Sequence, residues 1–174
     1  MPMPAFPTQS RTAQLLAAIA AGFLLAPLAP AASAEPAEFG LWYDDTGRGA
    51  VKIAPCGDKL CGHIVWLENQ LNSKGQPLHD IYNPEPTMRA RPICGIQVIG
   101  NLQPQSDGTW GSGWVYDPKV GSSYDVEIKL ARPDVLEVYG YAGLKLLGKS
   151  IYWKRAPSDL PRCSDNASPQ KVSR

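Results

Sequence analysis

The stretch 108–130, GTWGSGWVYDPKVGSSYDVEIKL, constrains the fold more than any other part of this chain. Its centre is a turn signal, because Asp117 can bond its own backbone, Pro118 fixes φ for the first corner and Gly121 suits a corner with positive φ. From Tyr124 to Leu130, apolar and polar residues alternate, which is the period of a strand with one buried face. The stretch therefore predicts a β-hairpin.

The first half of this hairpin predicts two unlike faces. One face is aromatic and the other is rich in glycine; the members are Trp110, Ser112, Trp114 and Tyr116 on the first, and Gly111, Gly113 and Val115 on the second. A strand face with two glycines indicates a sharp bend or the close approach of a ligand. The hairpin favours an all-β protein and points to no particular reaction.

The first 34 residues have the pattern of a secretory signal peptide. Arg11 precedes the apolar run AQLLAAIAAGFLLAPLAP, and the small residues 32–34 form a cleavage site, so we expect cleavage after Ala34. Pro27 and Pro30 interrupt the run short of the roughly 20 apolar residues that an uncleaved membrane anchor needs. The predicted organisation is a signal peptide at 1–34, a barrel domain at 35–157 and a polar tail at 158–174.

Charge gives no reason to expect a nucleic acid or an anionic membrane as partner. The whole chain has a formal charge of +1, and removal of the leader takes away one arginine, which leaves the mature chain about neutral. No transmembrane segment is expected after cleavage, and the predicted location is the periplasm.

Four cysteines in an exported chain predict disulfides, and four cysteines allow three pairings. The segment 56–61, CGDKLC, is typical of two strand ends joined by a Gly-Asp turn, so we pair Cys56 with Cys61 and, by elimination, Cys94 with Cys163. A metal site that joins these thiols to His63 or His79 is disfavoured, because the spacing lacks a C-x-x-C pair. No metal and no cofactor are predicted.

Eight strands are predicted in all, with one long loop. The hairpin supplies two of them, and the other six span 38–43, 50–54 (ended by Pro55), 60–67, 95–102, 135–141 and 144–155. Strands joined in series favour an up-and-down antiparallel barrel, which at eight strands encloses side chains or one small ligand. The loop, 68–92, has four prolines and no regular period. Loops of this length in compact domains are usually functional or disordered.

Two interpretations of the loop remain open. In one, Arg89 and Arg91 form a fork of donors over the barrel mouth that holds a carboxylate or phosphate. In the other, Asp80 and Asn83 cap local turns while the arginines pair with acids in solvent.

Two kinds of motif resemble known families. Gly40-Leu41-Trp42 resembles the G-x-W signature of lipocalins, in which an arginine on the last strand stacks on this tryptophan; the resemblance implies that Arg155 and Trp42 close the barrel. Further stretches in order resemble the exported bacterial family called domain of unknown function 2147; they are 56–62, 80–84, 89–92, 116–118, 140–143 and Trp153. This resemblance implies a periplasmic lipocalin-like barrel and no established activity.

No catalytic motif is found: G-x-S-x-G, Walker, H-E-x-x-H and dinucleotide patterns are absent from the sequence. The sequence therefore predicts a protein that is not an enzyme and that binds a small apolar or amphipathic ligand. The expected ligand-binding residues are Trp42, Trp66, Tyr82, Arg89, Arg91, Tyr116 and Trp153. The alternative function is an envelope interaction or inhibitor module with a filled barrel, whose partner is another envelope protein.

Overall fold

Eight antiparallel strands close into a barrel in the computed structural model, which describes Met1 and residues 35–163. The strands are β1 Gly40–Tyr43, β2 Gly49–Cys56, β3 Lys59–Leu67, β4 Gln97–Pro104, β5 Trp110–Asp117, β6 Ser122–Arg132, β7 Val135–Tyr141 and β8 Lys149–Arg155. Each strand pairs with the next along the chain, and β8 returns to pair with β1. The prediction of an eight-stranded up-and-down barrel is confirmed.

The signal peptide predicted at 1–34 lies outside the described residues apart from Met1, and so do residues 164–174 of the predicted tail. Among the described residues, no helix is long and apolar enough to cross a membrane.

The central turn forms as its sequence predicts. The side chain of Asp117 accepts a hydrogen bond from the backbone N–H of Lys119, and the N–H of Gly121 donates to the carbonyl of Asp117. Gly121 has a φ of 68°, and a β-carbon there would overlap the carbonyl of Tyr82, so the position requires glycine for two reasons.

The predicted faces of β5 are wrong for the residues before a bulge that interrupts the strand. Ser112 has a φ of 57°, and the pairing with β6 shifts between Trp110 and Gly113. Trp110 and Gly113 consequently both face the barrel interior, opposite Ile128 and Val126, although the strict alternation put them on opposite faces. The two glycines are thus on different faces and form no joint ligand-facing surface.

Several strand limits also differ from the prediction. Pro55 belongs to β2 and pairs with Leu60. In a two-residue hairpin the pair beside the turn exchanges hydrogen bonds and the next pair does not, so Pro55 loses no bond by lacking an N–H. The stretch before β8 is a loop that contains a 3-10 turn, Lys145–Leu147, rather than the start of a strand. A second 3-10 turn, Pro86–Met88, lies in the long loop, which spans 68–96 between β3 and β4.

The turns divide between two ends of the barrel. One end, which we call the loop end, carries the connections 44–48, 68–96, 118–121 and 142–148. The other end carries the tighter turns after β2, β4 and β6. At that end the chain leaves β8 as a strap, residues 156–163: Ala156 donates to the carbonyl of Leu41, and Cys163 is bonded to Cys94.

Apolar side chains occupy the barrel interior. Inward-facing residues from every strand except β5 belong to one continuous cluster and are less than 8% exposed; they are Trp42, Val51, Ile53, Leu60, Ile64, Ile99, Leu102, Val126, Ile128, Leu136, Val138 and Trp153. Glycines tighten this packing, because a β-carbon on Gly62 would lie 2.9 Å from Val51 Cγ1, and one on Gly113 would lie 2.6 Å from the carbonyl oxygen of Gly100. Burial of each large apolar side chain contributes about 1.5 to 3 kcal/mol.

Arg155 reinforces the closure of the barrel. Only two residue pairs join β1 to β8, Trp42 with Arg155 and Tyr43 with Lys154. The guanidinium of Arg155 lies 4.0 Å from the centre of the Trp42 ring and donates to the carbonyls of Ala37, Phe39 and Pro133. This one side chain therefore holds the segment before β1, the β6–β7 turn and β8 together.

Replacement of Arg155 by alanine is expected to lower the free energy of unfolding by about 2 kcal/mol, since it removes the stacking contact and three hydrogen bonds from a short seam. Urea denaturation measures the loss. The control is Lys154→Ala on the same strand, which we expect to change stability by less than about 0.5 kcal/mol. Equal effects of the two variants would show that Arg155 does not reinforce the seam.

Candidate functional site

The long loop is fixed to the outside of the barrel by a buried carboxylate. Asp80 is 0% exposed and lies between the loop and β5. Its Oδ1 accepts a hydrogen bond of 2.6 Å from the hydroxyl of Tyr116, and its Oδ2 accepts one of 2.7 Å from the side-chain amide of Asn83. Arg91 donates from Nε and Nη2 to the same Oδ2, at 3.0 and 2.9 Å. We call Asp80, Asn83, Arg91 and Tyr116 the clamp.

Local turns bring the clamp residues together. Asn83 donates its backbone N–H to the carbonyl of Asp80, and its side-chain oxygen accepts from the N–H of Glu85. The backbone N–H of Asp80 donates to the carbonyl of Arg91, which joins the two sides of the loop. Arg89 is tied in as well, because its Nε donates to the carbonyl of Asn83 at 2.7 Å. The Tyr116 hydroxyl, the Asn83 side-chain amide and the Nε atoms of both arginines donate to protein acceptors, so the clamp functions as a structural anchor.

Opposing effects set the protonation of Asp80. Burial alone raises the pKa of a carboxyl, but hydrogen bonds from Tyr116, Asn83 and Arg91 and the charge of Arg91 more than offset it and hold the pKa below the ordinary value of 3.8. Burial and the hydrogen bond to Asp80 raise the pKa of Tyr116 to about 12. The clamp is therefore a carboxylate with a protonated phenol at neutral pH.

Acid is expected to weaken the clamp. The unfolded chain binds the Asp80 proton more tightly than the folded chain, so the contribution of Asp80 is complete above its ordinary pKa of 3.8 and is lost as the pH falls through the lower folded value. The free energy of unfolding therefore falls with falling pH, and in Asp80→Asn the part of this pH dependence that is due to Asp80 should vanish. The part due to Asp44, whose pKa is also lowered, should remain. Urea denaturation from pH 5 downwards measures the pH dependence of the free energy of unfolding in the unsubstituted protein and in Asp80→Asn. The same pH dependence in both proteins would contradict the role given to Asp80.

The seven residues predicted to bind a ligand lie in three separate environments. Trp42 and Trp153 are in the interior, at 0% and 5% exposure. Arg91 and Tyr116 belong to the clamp, and Arg89 binds the loop backbone. Trp66 packs on the outer face against the edge of Tyr43, and Tyr82 is 61% exposed.

Each of the two interpretations of the long loop agrees with part of the structure. The guanidinium fork of Arg91 does hold a carboxylate, but this carboxylate is Asp80 of the same loop. Asn83 does cap a local turn, whereas the side chain of Asp80 reaches across to β5. Sequence reasoning missed this link because Tyr116 is 36 residues away from Asp80 and no local pattern connects them.

Both disulfides form, Cys56 with Cys61 and Cys94 with Cys163. The first fixes the β2–β3 hairpin. The second ties the end of the strap to the end of the long loop, which is consistent with the oxidising compartment expected for an exported chain.

Two concavities formed by the described residues lie on the outer surface. One, of about 480 Å³, lies between β1, β2 and the strap; its lining includes Leu41, Lys52, Arg155 and Arg162. The other, of about 320 Å³, lies over β6 and β7; its lining includes Glu127, Lys129, Glu137 and Tyr139.

Apolar residues are also exposed at the loop end. Leu144, Leu146 and Leu147, which we call the leucine tip, are 68%, 94% and 76% exposed. Two contacts of Lys145 fix the tip to the barrel. The hydroxyl of Tyr139 donates to the carbonyl of Lys145, and the ammonium of Lys145 lies 2.7 Å from the carboxylate of Glu127. On the neighbouring loops Ile81, Tyr82 and Val120 are more than half exposed.

Comparison with known proteins gives a structural neighbour and a family. No curated protein sequence matches this chain. Among solved structures, protein HP1028 from Helicobacter pylori, described as a member of the lipocalin family, matches with a TM-score of 0.53 and 22% identity, over 63% of this chain and 73% of that one. At this identity the likeness shows a shared fold.

The sequence model of one family, DUF2147, described as uncharacterized proteins conserved in bacteria, matches residues 40–155. This span begins at the first residue of β1 and ends at the last residue of β8. Three of the stretches that resemble the family, 80–84, 89–92 and 116–118, also supply the clamp. Since the match takes in the entire barrel and more than half of the sequence, the chain, which folds as a lipocalin-like barrel, belongs to the DUF2147 family of bacterial proteins.

Proposed function

We propose that this protein is a non-enzymatic binding protein of the bacterial envelope, and that it binds another envelope protein through the loop end of a filled barrel. The observation that carries the proposal is the leucine tip, three leucines within four residues that are 68% to 94% exposed. Exposed apolar groups in such density are typical of interaction sites. Export by a signal peptide at 1–34, with cleavage after Ala34, is part of the proposal and agrees with the two disulfides.

Rigidity supports an interaction role for this end. The clamp fixes the loop 68–96 and the Tyr139–Lys145 hydrogen bond fixes the tip, so little conformational entropy is lost when a partner binds. The side chain of Tyr82 is exposed, and its backbone lies beside Gly121. Tyrosine is one of the residues that often contribute most of the binding energy at a protein–protein interface.

Charge favours a protein partner over an anionic membrane. The loop-end connections carry basic residues and about as many acidic ones; they are Arg48, Lys74, Arg89, Arg91, Lys119 and Lys145, against Asp44, Asp45, Glu68, Asp80 and Glu85. A surface that binds anionic lipid is expected to have an excess of Lys and Arg around its apolar residues. We therefore propose a partner with an apolar groove and a neutral rim.

Site-specific photo-cross-linking in the producing bacterium tests this function. A photoreactive residue in place of Ile81 is expected to give one discrete adduct, and Leu146→Ser with Leu147→Ser should reduce its yield at least about tenfold, since each buried leucine contributes about 1.5 to 3 kcal/mol. The matched control is Tyr152→Ser, which removes an apolar side chain that is 54% exposed on β8. An adduct that survives the leucine substitutions, or that Tyr152→Ser reduces equally, would contradict the proposal.

A second candidate function, carriage of a small apolar or amphipathic molecule inside the barrel, has one observation in its favour. The indole N–H of Trp153 is buried and has no hydrogen-bond acceptor among the described residues. A buried donor without a partner costs about 1 to 3 kcal/mol, and an oxygen atom of a guest molecule between Trp42 and Trp153 would remove that cost.

Native mass spectrometry of protein purified from the periplasm without detergent separates this candidate from the first. Carriage predicts a bound mass that Trp153→Phe removes while the fold is retained. A bare polypeptide mass in both proteins would contradict carriage.

A further inference from the structure

We propose that the concavity between β1, β2 and the strap is a binding site for an amphipathic anion, a molecule with a carboxylate or phosphate group and a short apolar chain. We call it the seam cavity. Its volume of about 480 Å³ is within the range of about 300 to 1,000 Å³ that is usual for small-molecule sites. It lies on the outer surface, away from the loop end, so the inference is independent of the proposed protein partner.

The floor of the seam cavity is apolar. Leu41 and Lys52 form a cross-strand pair on the outer face of β1 and β2, opposite to the inward-facing pair of Trp42 and Val51. An outward-facing leucine on an antiparallel sheet is normally exposed, but Leu41 is 6% exposed because the strap passes beside it, where Ala156 donates to its carbonyl. The strap thus converts a flat sheet face into a walled apolar surface.

Among the residues that the structure describes, three cations line the same cavity and no carboxylate does. Lys52 is exposed on the sheet, Arg155 is held by its three backbone carbonyls, and Arg162 donates to the carbonyl of Ser158 in the strap. The hydrogen bonds of Arg155 are to neutral groups, so they position its positive charge without cancelling it. Cations beside an apolar floor match the two parts of an amphipathic anion.

The strap is held at both ends, which keeps the cavity preformed. β8 holds its start, and the Cys94–Cys163 disulfide holds its end. A ligand therefore has no wall to order when it binds, which reduces the entropic cost of binding.

Isothermal titration of the full mature chain with dodecanoate and dodecyl phosphate tests the proposal. We expect both to bind and dodecyltrimethylammonium, which has the same chain and the opposite charge, not to bind. A titration with inorganic phosphate distinguishes a lipid-like ligand from a free anion. Weak or no binding of phosphate assigns the site to a lipid-like molecule. Binding equal to that of dodecyl phosphate assigns it to the free anion. Both results support an anion site.

The variant Lys52→Glu locates the binding. It reverses a charge on the cavity wall and is expected to weaken dodecanoate binding about tenfold. The matched control is Lys74→Glu, which makes the same change on the exposed loop at the other end of the barrel and should leave the affinity unchanged. In the unsubstituted protein, dodecanoate should also shift the amide resonances of Leu41 and Ala156, a readout that does not depend on a variant. Equal affinity in Lys52→Glu, binding of the ammonium compound, or unshifted resonances would overturn the proposal.

Discussion

Replacement of Asp80 by alanine is expected to lower the free energy of unfolding by about 3 kcal/mol. The substitution leaves the hydroxyl of Tyr116 without its acceptor in a buried site, and it removes one of the two acceptors of the side-chain amide of Asn83. Loss of one partner of a buried ion pair costs about 3 to 5 kcal/mol, and we take the lower limit because the side chain of Arg91 is 36% exposed and can be rehydrated.

Urea denaturation of Asp80→Ala at neutral pH measures this loss. The control is Asp45→Ala, which removes an exposed carboxylate from a turn at the same end of the barrel and should change stability by less than about 0.5 kcal/mol. Limited proteolysis gives a second readout, because the loop 68–96 should be cut faster once the clamp is lost. A loss below about 1 kcal/mol, with unchanged proteolysis, would show that the loop is held by other contacts.

Removal of the Cys94–Cys163 disulfide, by serine at both positions, is expected to cost about 4 kcal/mol, and removal of Cys56–Cys61 about 2 kcal/mol. The difference arises because the first bond closes a loop with a sequence separation of 69 and the second one with a separation of 5. Cross-linking of distant residues restricts the unfolded chain more, so the longer loop contributes more to stability.

The two double-serine variants serve as controls for each other in the same urea denaturation experiment. The long-loop variant should also expose Leu41 as the strap detaches, which would increase hydrogen exchange at the N–H of Ala156. An equal or larger loss for the Cys56–Cys61 variant would contradict this account and would indicate that the strap stays in place without its bond.

Much of the barrel could be predicted because its determinants are local. Alternation from Tyr124 to Leu130 defines β6, and the residues Asp117, Pro118 and Gly121 define the turn before it. Neither signal depends on the rest of the chain. The resemblance of Gly40-Leu41-Trp42 to a lipocalin motif predicted that Arg155 stacks on Trp42 where β1 meets β8, and this contact is present.

What could not be predicted depends on contacts between distant residues or on unusual backbone conformations. Nothing in the sequence marks Ser112 as left-handed, since serine rarely adopts positive φ, and the bulge at this one residue places Trp110 and Gly113 on the same face. Similarly, the partner of Asp80 lies on another strand, so the loop residues resembled turn caps and a solvent-exposed arginine pair.

The same limits apply to the barrel interior. Glycines and aromatic residues on strands are compatible with a pocket or with a packed core, and side-chain spacing does not distinguish the two. In the folded chain Trp42 and Trp153 join one apolar cluster, and Gly62 and Gly113 are small because neighbouring atoms come within 3 Å of where a β-carbon would lie. The two concavities described above are the seam cavity and the one over β6 and β7.

Xenon binding tests most directly the central claim, that the barrel is filled and that binding occurs on its outer surface. Xenon enters dry apolar cavities in proteins. A crystal of the mature protein under xenon pressure is expected to show no xenon site among Trp42, Val126 and Trp153. A xenon atom there, or the density of a guest molecule beside the indole N–H of Trp153, would contradict the claim and favour carriage inside the barrel.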